Sequence, residues 1–168
     1  MHTVYLLRHA KSDWSDQTLP DHARPLAPRG RRDAQRIAKH LRRRGIEPTL
    51  VLCSSAARTR ETLDLVGPAL GAAPAQIEDG LYAAAPDELL ERLRALPEQS
   101  ASVLVIGHNP GLHELALVLA TPSRTRGRLE AKFPTAALAT LAVTHATWAE
   151  LAAGGADLTA FVVPKQLR

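Results

Sequence analysis

The chain has 168 residues, of which 45% are hydrophobic and 23% charged, and its formal net charge is +4. This length suits one domain with a sizeable core, and the mixed composition argues against disorder. No apolar run approaches the roughly 18 residues that span a bilayer, and we expect no secretory leader and no membrane contact. A single cysteine, Cys53, cannot form an internal disulfide, so the expected location is cytoplasmic.

Apolar runs alternate with helical patterns along the whole chain. The first half predicts strand 3–7, helix 29–44, strand 49–53, helix 56–70 and a short strand near 75–78. The second half predicts helix 86–96, strand 103–107, helix 110–120, a long polar loop over 121–133, and strands 136–143 and 158–163. Such alternation is typical of a parallel sheet covered on both faces. The fold class predicted is α/β, a three-layer α/β/α sandwich with a mostly parallel central sheet, in a single domain over residues 1–168.

Much of the positive charge falls in the predicted helix 29–44. Four residues at helical spacing predict its buried stripe: Ala34, Ile37, Ala38 and Leu41. The arginines fall on its other faces, where cations near the C-terminus also complement the helix dipole. We interpret this segment as a solvated basic helix. Nucleic-acid binding is the less favoured interpretation, because no aromatic stacking platform accompanies the charge.

Three strand ends carry residues that suit phosphate. The run Val4 to Leu7 leads into Arg8 and His9, the second predicted strand leads into Arg58, and the strand ending at Gly107 leads into His108. The carboxyl ends of parallel strands converge on one crevice of an open α/β sheet. Arginine grips a phosphoryl group with paired, charge-assisted hydrogen bonds. The sequence therefore predicts a phosphate site that contains two arginines and two histidines.

The predicted chemistry centres on His9. A neutral imidazole nitrogen can attack phosphorus and form a phosphohistidine that water later hydrolyses. Arg8 and Arg58 would clamp the nonbridging oxygens, and His108 would donate a further hydrogen bond. Arg58 has a competing interpretation as a helix-surface ion pair with Glu61.

Other catalytic patterns are missing from the sequence. There is no HExxH or CxxC metal motif, no glycine-rich phosphate loop with lysine, and no GxSxG elbow. We therefore expect neither a metal nor a cofactor. His113 falls one turn into the helix after His108, and we interpret it as a helix-face residue.

Four segments together resemble the histidine phosphatase superfamily, specifically its short, SixA-like phosphohistidine phosphatases: LLRHAKSDW, DHARPLAPRG, SSAARTRET and GHNPGLHEL. The resemblance runs from residue 3 to about 165 and includes the ending FVVPKQL. It implies a phosphoglycerate-mutase-like fold. It also implies that His9 is the phosphorylated nucleophile, that Arg8 and Arg58 bind phosphate, and that His108 is the second pocket histidine.

The resemblance extends less firmly to other positions. Ala10 stands where the wider superfamily has glycine, and Ser15 stands where many mutase-like members carry a phosphate-binding asparagine. Asn109, beside His108, is a further predicted substrate contact. The proton donor is left open. Asp79, on the segment after the third strand, is one candidate, and the alternative is that Asp79 is an ordinary turn residue. Asp13 is another candidate.

The resemblance and the residues favour a metal-independent phosphatase that acts on a phosphohistidine protein. Within the same family the alternative is a small-phosphoester phosphatase or a mutase. Those members usually carry a long insertion between the positions matching Arg58 and His108. In this chain that stretch holds little beyond one helix and a short strand. From another class, a phosphate- or nucleic-acid-binding module remains an alternative. The sequence gives no indication of oligomeric state.

Overall fold

A computed structural model describes residues 1–167. The strands are β1 His2–Arg8, β2 Leu50–Ser54, β3 Ala75–Glu78, β4 Ser102–Gly107, β5 Leu138–Val143 and β6 Ala156–Val162. The α-helices are α1 Pro28–Arg44, α2 Ala57–Val66, α3 Pro86–Arg94, α4 Gly111–Leu119 and α5 Arg124–Ala131. Short 3-10 turns occupy Asp21–Ala23, Gly67–Ala69, Asp79–Leu81, Trp148–Glu150 and Pro164–Leu167.

The six strands form one sheet in the order β3-β2-β4-β1-β5-β6. The pairs β2–β3, β2–β4 and β1–β4 are parallel, whereas β5 runs antiparallel to both β1 and β6. The mixed sheet thus keeps a parallel group of four strands, as the alternating pattern predicted. The carboxyl ends of β1, β2 and β4 lie side by side within this group, where the predicted phosphate residues follow them.

Two hydrophobic clusters cover the two faces of the sheet. Successive residues of β1 divide between them: Val4 and Leu6 pack in one cluster, and Leu7 packs in the other. The first cluster includes side chains of α3, α4 and α5, and the second includes the buried stripe of α1. The three-layer α/β/α sandwich is therefore confirmed. Within residues 1–167, no helix is both long and apolar enough to cross a membrane.

The predicted polar loop over 121–133 is wrong, because α5 lies within it. The Ser123 side chain caps this helix by accepting a hydrogen bond from the Arg126 amide at 3.1 Å. Leu129 and Phe133 are buried in the core, so the segment contributes packing that its polar composition conceals. The predicted helix 56–70 is also too long: α2 ends at Val66, and the Pro68 segment continues as a 3-10 turn.

Candidate active site

β1 delivers His9 to the carboxyl edge of the sheet. The His9 amide donates to the Gly107 carbonyl at 3.1 Å, which extends the β1–β4 pairing one residue past the strand. The next amide, of Ala10, donates to the Thr62 hydroxyl on α2 at 3.1 Å. These two hydrogen bonds fix the backbone on either side of His9, and with it the point from which the imidazole side chain extends.

The tautomer of His9 follows from one contact. Its Nδ1 lies 2.7 Å from the Ala10 carbonyl oxygen. A carbonyl can only accept, so Nδ1 carries the proton and Nε2 keeps its lone pair. The pKa of His9 is lowered to about 3. Burial is the largest cause, the bond to the Ala10 carbonyl opposes it, and repulsion from His108, Arg58 and Arg8 adds to it. The imidazole is therefore neutral near pH 7, as nucleophilic attack requires.

Arg58 comes from the first turn of α2 and is buried. Its Nε donates to His9 Nε2 at 3.4 Å, a long hydrogen bond. Its two terminal nitrogens donate to Asp21, Nη1 to the carbonyl at 2.8 Å and Nη2 to the carboxylate at 3.0 Å. The competing ion pair with Glu61 is wrong, since Glu61 instead binds Arg31 at 2.6 Å.

His108 follows β4 and lies against His9, with ring centroids 5.3 Å apart. Its Nε2 is 2.7 Å from the hydroxyl of Ser54, the last residue of β2. The pKa of His108 is lowered to about 4, first by burial and then by Arg58, while Asp21 opposes the shift. His108 is consequently neutral near pH 7 without a bound anion. A bound phosphoryl dianion would favour its protonation.

Arg8 and Asn109 converge on one backbone oxygen. Arg8 Nη1 donates to the Phe133 carbonyl at 3.1 Å, and Asn109 Nδ2 donates to the same carbonyl at 2.9 Å. Burial is the main cause that lowers the pKa of Arg8, followed by repulsion from Arg58. The two guanidinium groups are thus close enough to repel each other.

Three buried polar atoms of this site have no hydrogen-bond partner among the described residues: Arg8 Nε, His108 Nδ1 and Asn109 Oδ1. Leaving a buried donor unpaired costs roughly 1–3 kcal/mol. Such groups need an explanation. A ligand that accepts hydrogen bonds would satisfy Arg8 Nε, and His108 Nδ1 where that nitrogen carries a proton, whereas Asn109 Oδ1 needs a donor. The site therefore has hydrogen-bonding capacity that its own residues leave unused.

Two other predicted residues lie outside this cluster. Ser15 is exposed, and its amide donates to the Asp13 carboxylate at 2.8 Å. Asp79 is exposed after β3, and its carbonyl accepts from the Tyr82 amide at 3.1 Å. Within residues 1–167, neither the Ser15 hydroxyl nor the Asp79 carboxyl makes a hydrogen bond to the site. Their roles as phosphate contact and proton donor remain predictions.

Asp13 is a poor fit to the donor role. Hydrogen bonds from Ser15 are the largest cause that lowers the pKa of the Asp13 carboxyl. Hydrogen bonding to the charged form keeps a carboxylate ionised, so this group carries no proton near neutral pH.

Sequence reasoning missed Asp21 and Tyr82. The Tyr82 hydroxyl donates to the Asp21 carboxylate at 2.5 Å, and the Tyr82 ring stands edge-on to His108 with centroids 5.4 Å apart. This hydrogen bond is the largest cause that lowers the pKa of Asp21. Asp21 lies in the family segment DHARPLAPRG, and Tyr82 lies three residues after the predicted donor Asp79. No local pattern distinguished them from turn residues.

Gly107, which ends β4, leaves room for a side chain. A Cβ there would meet Leu112 Cδ1 at 3.6 Å, an ordinary contact. The tight position is Gly111, where a Cβ would lie 2.0 Å from the Ala84 carbonyl oxygen. Helix α4 also begins at Gly111 rather than at Pro110. Glycine is therefore needed where α4 presses on the loop before α3.

His113 has the structural role that its position predicted. Its Nε2 lies 2.6 Å from the Leu129 carbonyl, which ties α4 to α5.

Among residues 1–167, no group of three or more His, Cys, Asp or Glu side chains could hold a metal ion.

Comparisons with known proteins agree with this geometry. The sequence model of the histidine phosphatase superfamily, branch 1, matches residues 4–84. An uncharacterized protein of Mycobacterium tuberculosis is 40% identical over 163 residues, which cover 95% of this chain and 100% of that protein. A structure assigned as the phosphohistidine phosphatase SixA of Nakamurella multipartitia is 33% identical, with a TM-score of 0.85 over 97% of this chain and 96% of that chain.

The chain belongs to the histidine phosphatase superfamily. Within that superfamily it is SixA-like: a second structure assigned as SixA, from Agrobacterium tumefaciens, is 30% identical with a TM-score of 0.82, over 97% of this chain and 98% of that chain. The phosphoglycerate-mutase-like fold implied by the sequence motifs is confirmed. Membership of the superfamily makes this protein a phosphatase.

Proposed function

We propose that this phosphatase removes phosphoryl groups from phosphohistidine in proteins, through a phosphohistidine formed on its own His9. The observation that carries the proposal is the bond from His9 Nδ1 to the Ala10 carbonyl at 2.7 Å. That bond leaves Nε2 unprotonated, beside the Arg58 guanidinium. A nucleophile and a cationic phosphate clamp thus share one crevice.

The reaction has two displacements. In the first, the Nε2 lone pair forms a bond to phosphorus while the bond from phosphorus to the substrate imidazole breaks. The departing imidazole nitrogen takes a proton and leaves as neutral histidine. In the second, water attacks the phosphorylated His9, inorganic phosphate leaves, and Nε2 regains its lone pair.

The arginines supply the electrostatic part of the catalysis. Arg8 and Arg58 hold the nonbridging oxygens, where charge develops during transfer. The bound dianion favours protonation of His108, which then donates a further hydrogen bond to it. Asn109 contacts the same group through Nδ2, which carries a second hydrogen besides the one it gives to the Phe133 carbonyl. Because two fixed guanidinium groups supply positive charge, we propose that no metal ion is needed.

The proton for the leaving group has no assigned source among the buried residues. Asp79 stays the proposed donor, on its position after β3. A phosphoramidate has a better leaving group than an alkyl phosphate. A histidine substrate therefore depends less on a dedicated acid than a sugar phosphate does, which favours the protein substrate.

The similar proteins support the choice of substrate. A solved protein histidine phosphatase SixA, in complex with tungstate, is 26% identical with a TM-score of 0.80, over 99% of each chain. The alternative is a small phosphoester substrate. Family members with such substrates usually carry a covering insertion. Here the segment between Arg58 and His108 holds only the rest of α2, two 3-10 turns, β3, α3 and β4.

We further propose that residues 1–168 act as one domain, since one sheet takes strands from His2 to Val162. A cytoplasmic site of action stays a prediction from the single cysteine, which is buried in β2.

The test traps the intermediate. A radiolabelled phosphohistidine protein is mixed with enzyme and quenched, and the adduct is mapped by mass spectrometry. We expect label on His9, labile in acid and stable in alkali, and its loss in His9→Ala. The control is His40→Ala, on α1. Label on a serine or carboxylate, or full activity in His9→Ala, would contradict the mechanism. Parallel rates with p-nitrophenyl phosphate and 3-phosphoglycerate decide between protein and small-phosphoester substrates.

A further inference from the structure

A second cavity, of about 560 Å³, opens beside the active site between α1, α5 and the residues after β6. Five cationic side chains line it: Arg29, Arg36, Arg128, Lys132 and Lys165. We call this cavity the basic cleft. Phe161 and Val163 contribute apolar lining. Its size and its mixed lining are those of a ligand pocket.

The positive charge of the basic cleft is mostly uncompensated. Its one acidic lining residue is Asp33, which is buried and binds Arg36 at 2.9 Å and Arg29 at 3.7 Å. Arg128 donates to the Phe161 carbonyl at 3.0 Å, a neutral acceptor. Lys132 and Lys165 are exposed. Within residues 1–167 they form neither an ion pair nor a side-chain hydrogen bond. The cleft therefore favours a ligand with several negative charges.

The basic cleft and the active site share a wall. The Phe133 carbonyl accepts from Arg8 and Asn109 inside the active site, and the next two residues, Pro134 and Thr135, line the cleft. The following amide, of Ala136, donates to the carbonyls of Arg8 and His9 at 3.1 and 3.0 Å. One short stretch of backbone, residues 133–136, thus contacts the active-site residues and also lines the cleft.

The start of α1 is pressed against the same region. A Cβ on Gly30 would lie 2.2 Å from the Lys11 carbonyl oxygen, so glycine lets α1 contact the loop that follows His9. This contact fixes the first turn of α1, and with it Arg29, relative to the nucleophile. The cleft residue Arg29 therefore lies in the helix turn that contacts the loop after His9.

We propose that the basic cleft binds an acidic segment of the substrate protein that flanks its phosphohistidine. The inference rests on the proposed function and names the feature by which that site selects substrate. The phosphoryl group itself offers the same contacts in every substrate. Interactions with remote parts of the substrate must therefore supply the selectivity. The apolar lining would accommodate one nonpolar side chain of the segment. Nucleic acid fits less well, because the Phe161 ring is only 5% exposed and offers no stacking surface.

The test uses two eight-residue peptides that carry one chemically phosphorylated histidine. In one peptide glutamates flank the histidine on both sides, and in the other glutamines replace them. We expect wild-type enzyme to hydrolyse the glutamate peptide with kcat/KM about tenfold higher, mainly through KM, as a few charge pairs would produce. The preference should decline as salt rises.

The decisive variant is Lys132→Glu with Lys165→Glu, and the matched control is Lys39→Glu with Arg43→Glu. Both variants change the net charge equally, but the control alters exposed residues of α1 outside the cleft lining. We expect the first variant to lose the glutamate preference while keeping its rate on the glutamine peptide. The control should keep both. Equal loss of preference in both variants would overturn the proposal that the basic cleft binds the acidic segment, and would indicate a general effect of net charge.

Two further outcomes separate this inference from the proposed function. If both peptides are hydrolysed equally by wild-type enzyme, the inference fails and the proposed function stands. If neither is hydrolysed, the proposed function fails for these substrates, and binding of the unphosphorylated glutamate peptide still tests the cleft. Cleft-dependent binding of a single-stranded oligonucleotide, without binding of the glutamate peptide, would overturn the inference in favour of nucleic acid.

Discussion

Arg58 donates to both the backbone and the carboxylate of Asp21, a residue 37 positions earlier in the chain, at 2.8 and 3.0 Å. The same guanidinium reaches His9 Nε2 through its Nε at 3.4 Å. Asp21 therefore anchors the two terminal nitrogens of Arg58, while the Arg58 Nε faces His9. Tyr82 in turn donates to Asp21, so the anchor has its own support.

Replacing Asp21 by alanine should weaken catalysis without abolishing it. The carboxylate bond to Arg58 is lost, but the backbone bond remains. Because Asp21 is partly exposed, we expect a loss of about 1 kcal/mol, or about fivefold in kcat/KM. Steady-state kinetics measure it, with Asp16→Ala on the same loop as the control. Tyr82→Phe should give a smaller loss. An unchanged rate in Asp21→Ala would remove the anchor from the mechanism.

Arg58→Ala should lose far more activity than Arg60→Ala. Arg58 is buried against His9, whereas Arg60 is exposed two residues further along α2. Removing one preorganised donor to a developing charge costs about 3 kcal/mol in comparable sites, which is about a hundredfold in kcat. Matched kinetics of the two variants provide the measurement. Small and equal losses would show that Arg58 does not bind the phosphoryl group.

The buried histidines should make stability depend on pH. The pKa of His9 falls from its ordinary 6.5 to about 3 on folding, so unfolding below pH 6.5 takes up a proton that the folded state lacks. The free energy of unfolding should therefore decrease as pH falls from 6.5 towards 3. Between pH 6.5 and 5 this one group would contribute up to about 2 kcal/mol.

Urea unfolding at pH 6.5 and 5 checks this effect. His9→Asn should lose less stability than wild type over that interval, and His108→Asn should behave similarly because its pKa is lowered to about 4. Arg60→Ala serves as the control, since an arginine keeps its charge throughout the interval. A wild-type pH dependence in both histidine variants would mean that these rings titrate normally in the folded protein.

Activity should survive removal of divalent metals. Two guanidinium groups provide the charge that a metal would otherwise supply, so turnover after treatment with EDTA should equal that of untreated enzyme. Vanadate, which adopts a pentacoordinate geometry, should compete with substrate. Rates with chelator and then with added Mg²⁺ or Zn²⁺ measure both effects. A requirement for either ion would refute the metal-independent mechanism.

The strand-end residues were predictable from the sequence because they depend on local order. A buried run that ends in Arg8 and His9, or in His108, fixes where those side chains leave the sheet, and parallel strands bring such ends together. The same logic identified the buried stripe of α1. It failed for α5, whose composition is polar. The cap by Ser123 and the burial of Leu129 stabilise this helix only when the rest of the core has formed.

What the sequence by itself determined was the α/β class, the family motifs, and the placement of Arg8, His9, Arg58 and His108 after strand ends. Only the tertiary structure decided which partners those residues have. Asp21 meets Arg58, Tyr82 meets Asp21, and Lys165 comes to share a cleft with Lys132, across separations that no periodic pattern encodes. Such contacts depend on how helices pack on the sheet and which loops meet at its edge. Helix and strand propensities and the spacing of residues along the chain do not encode that packing.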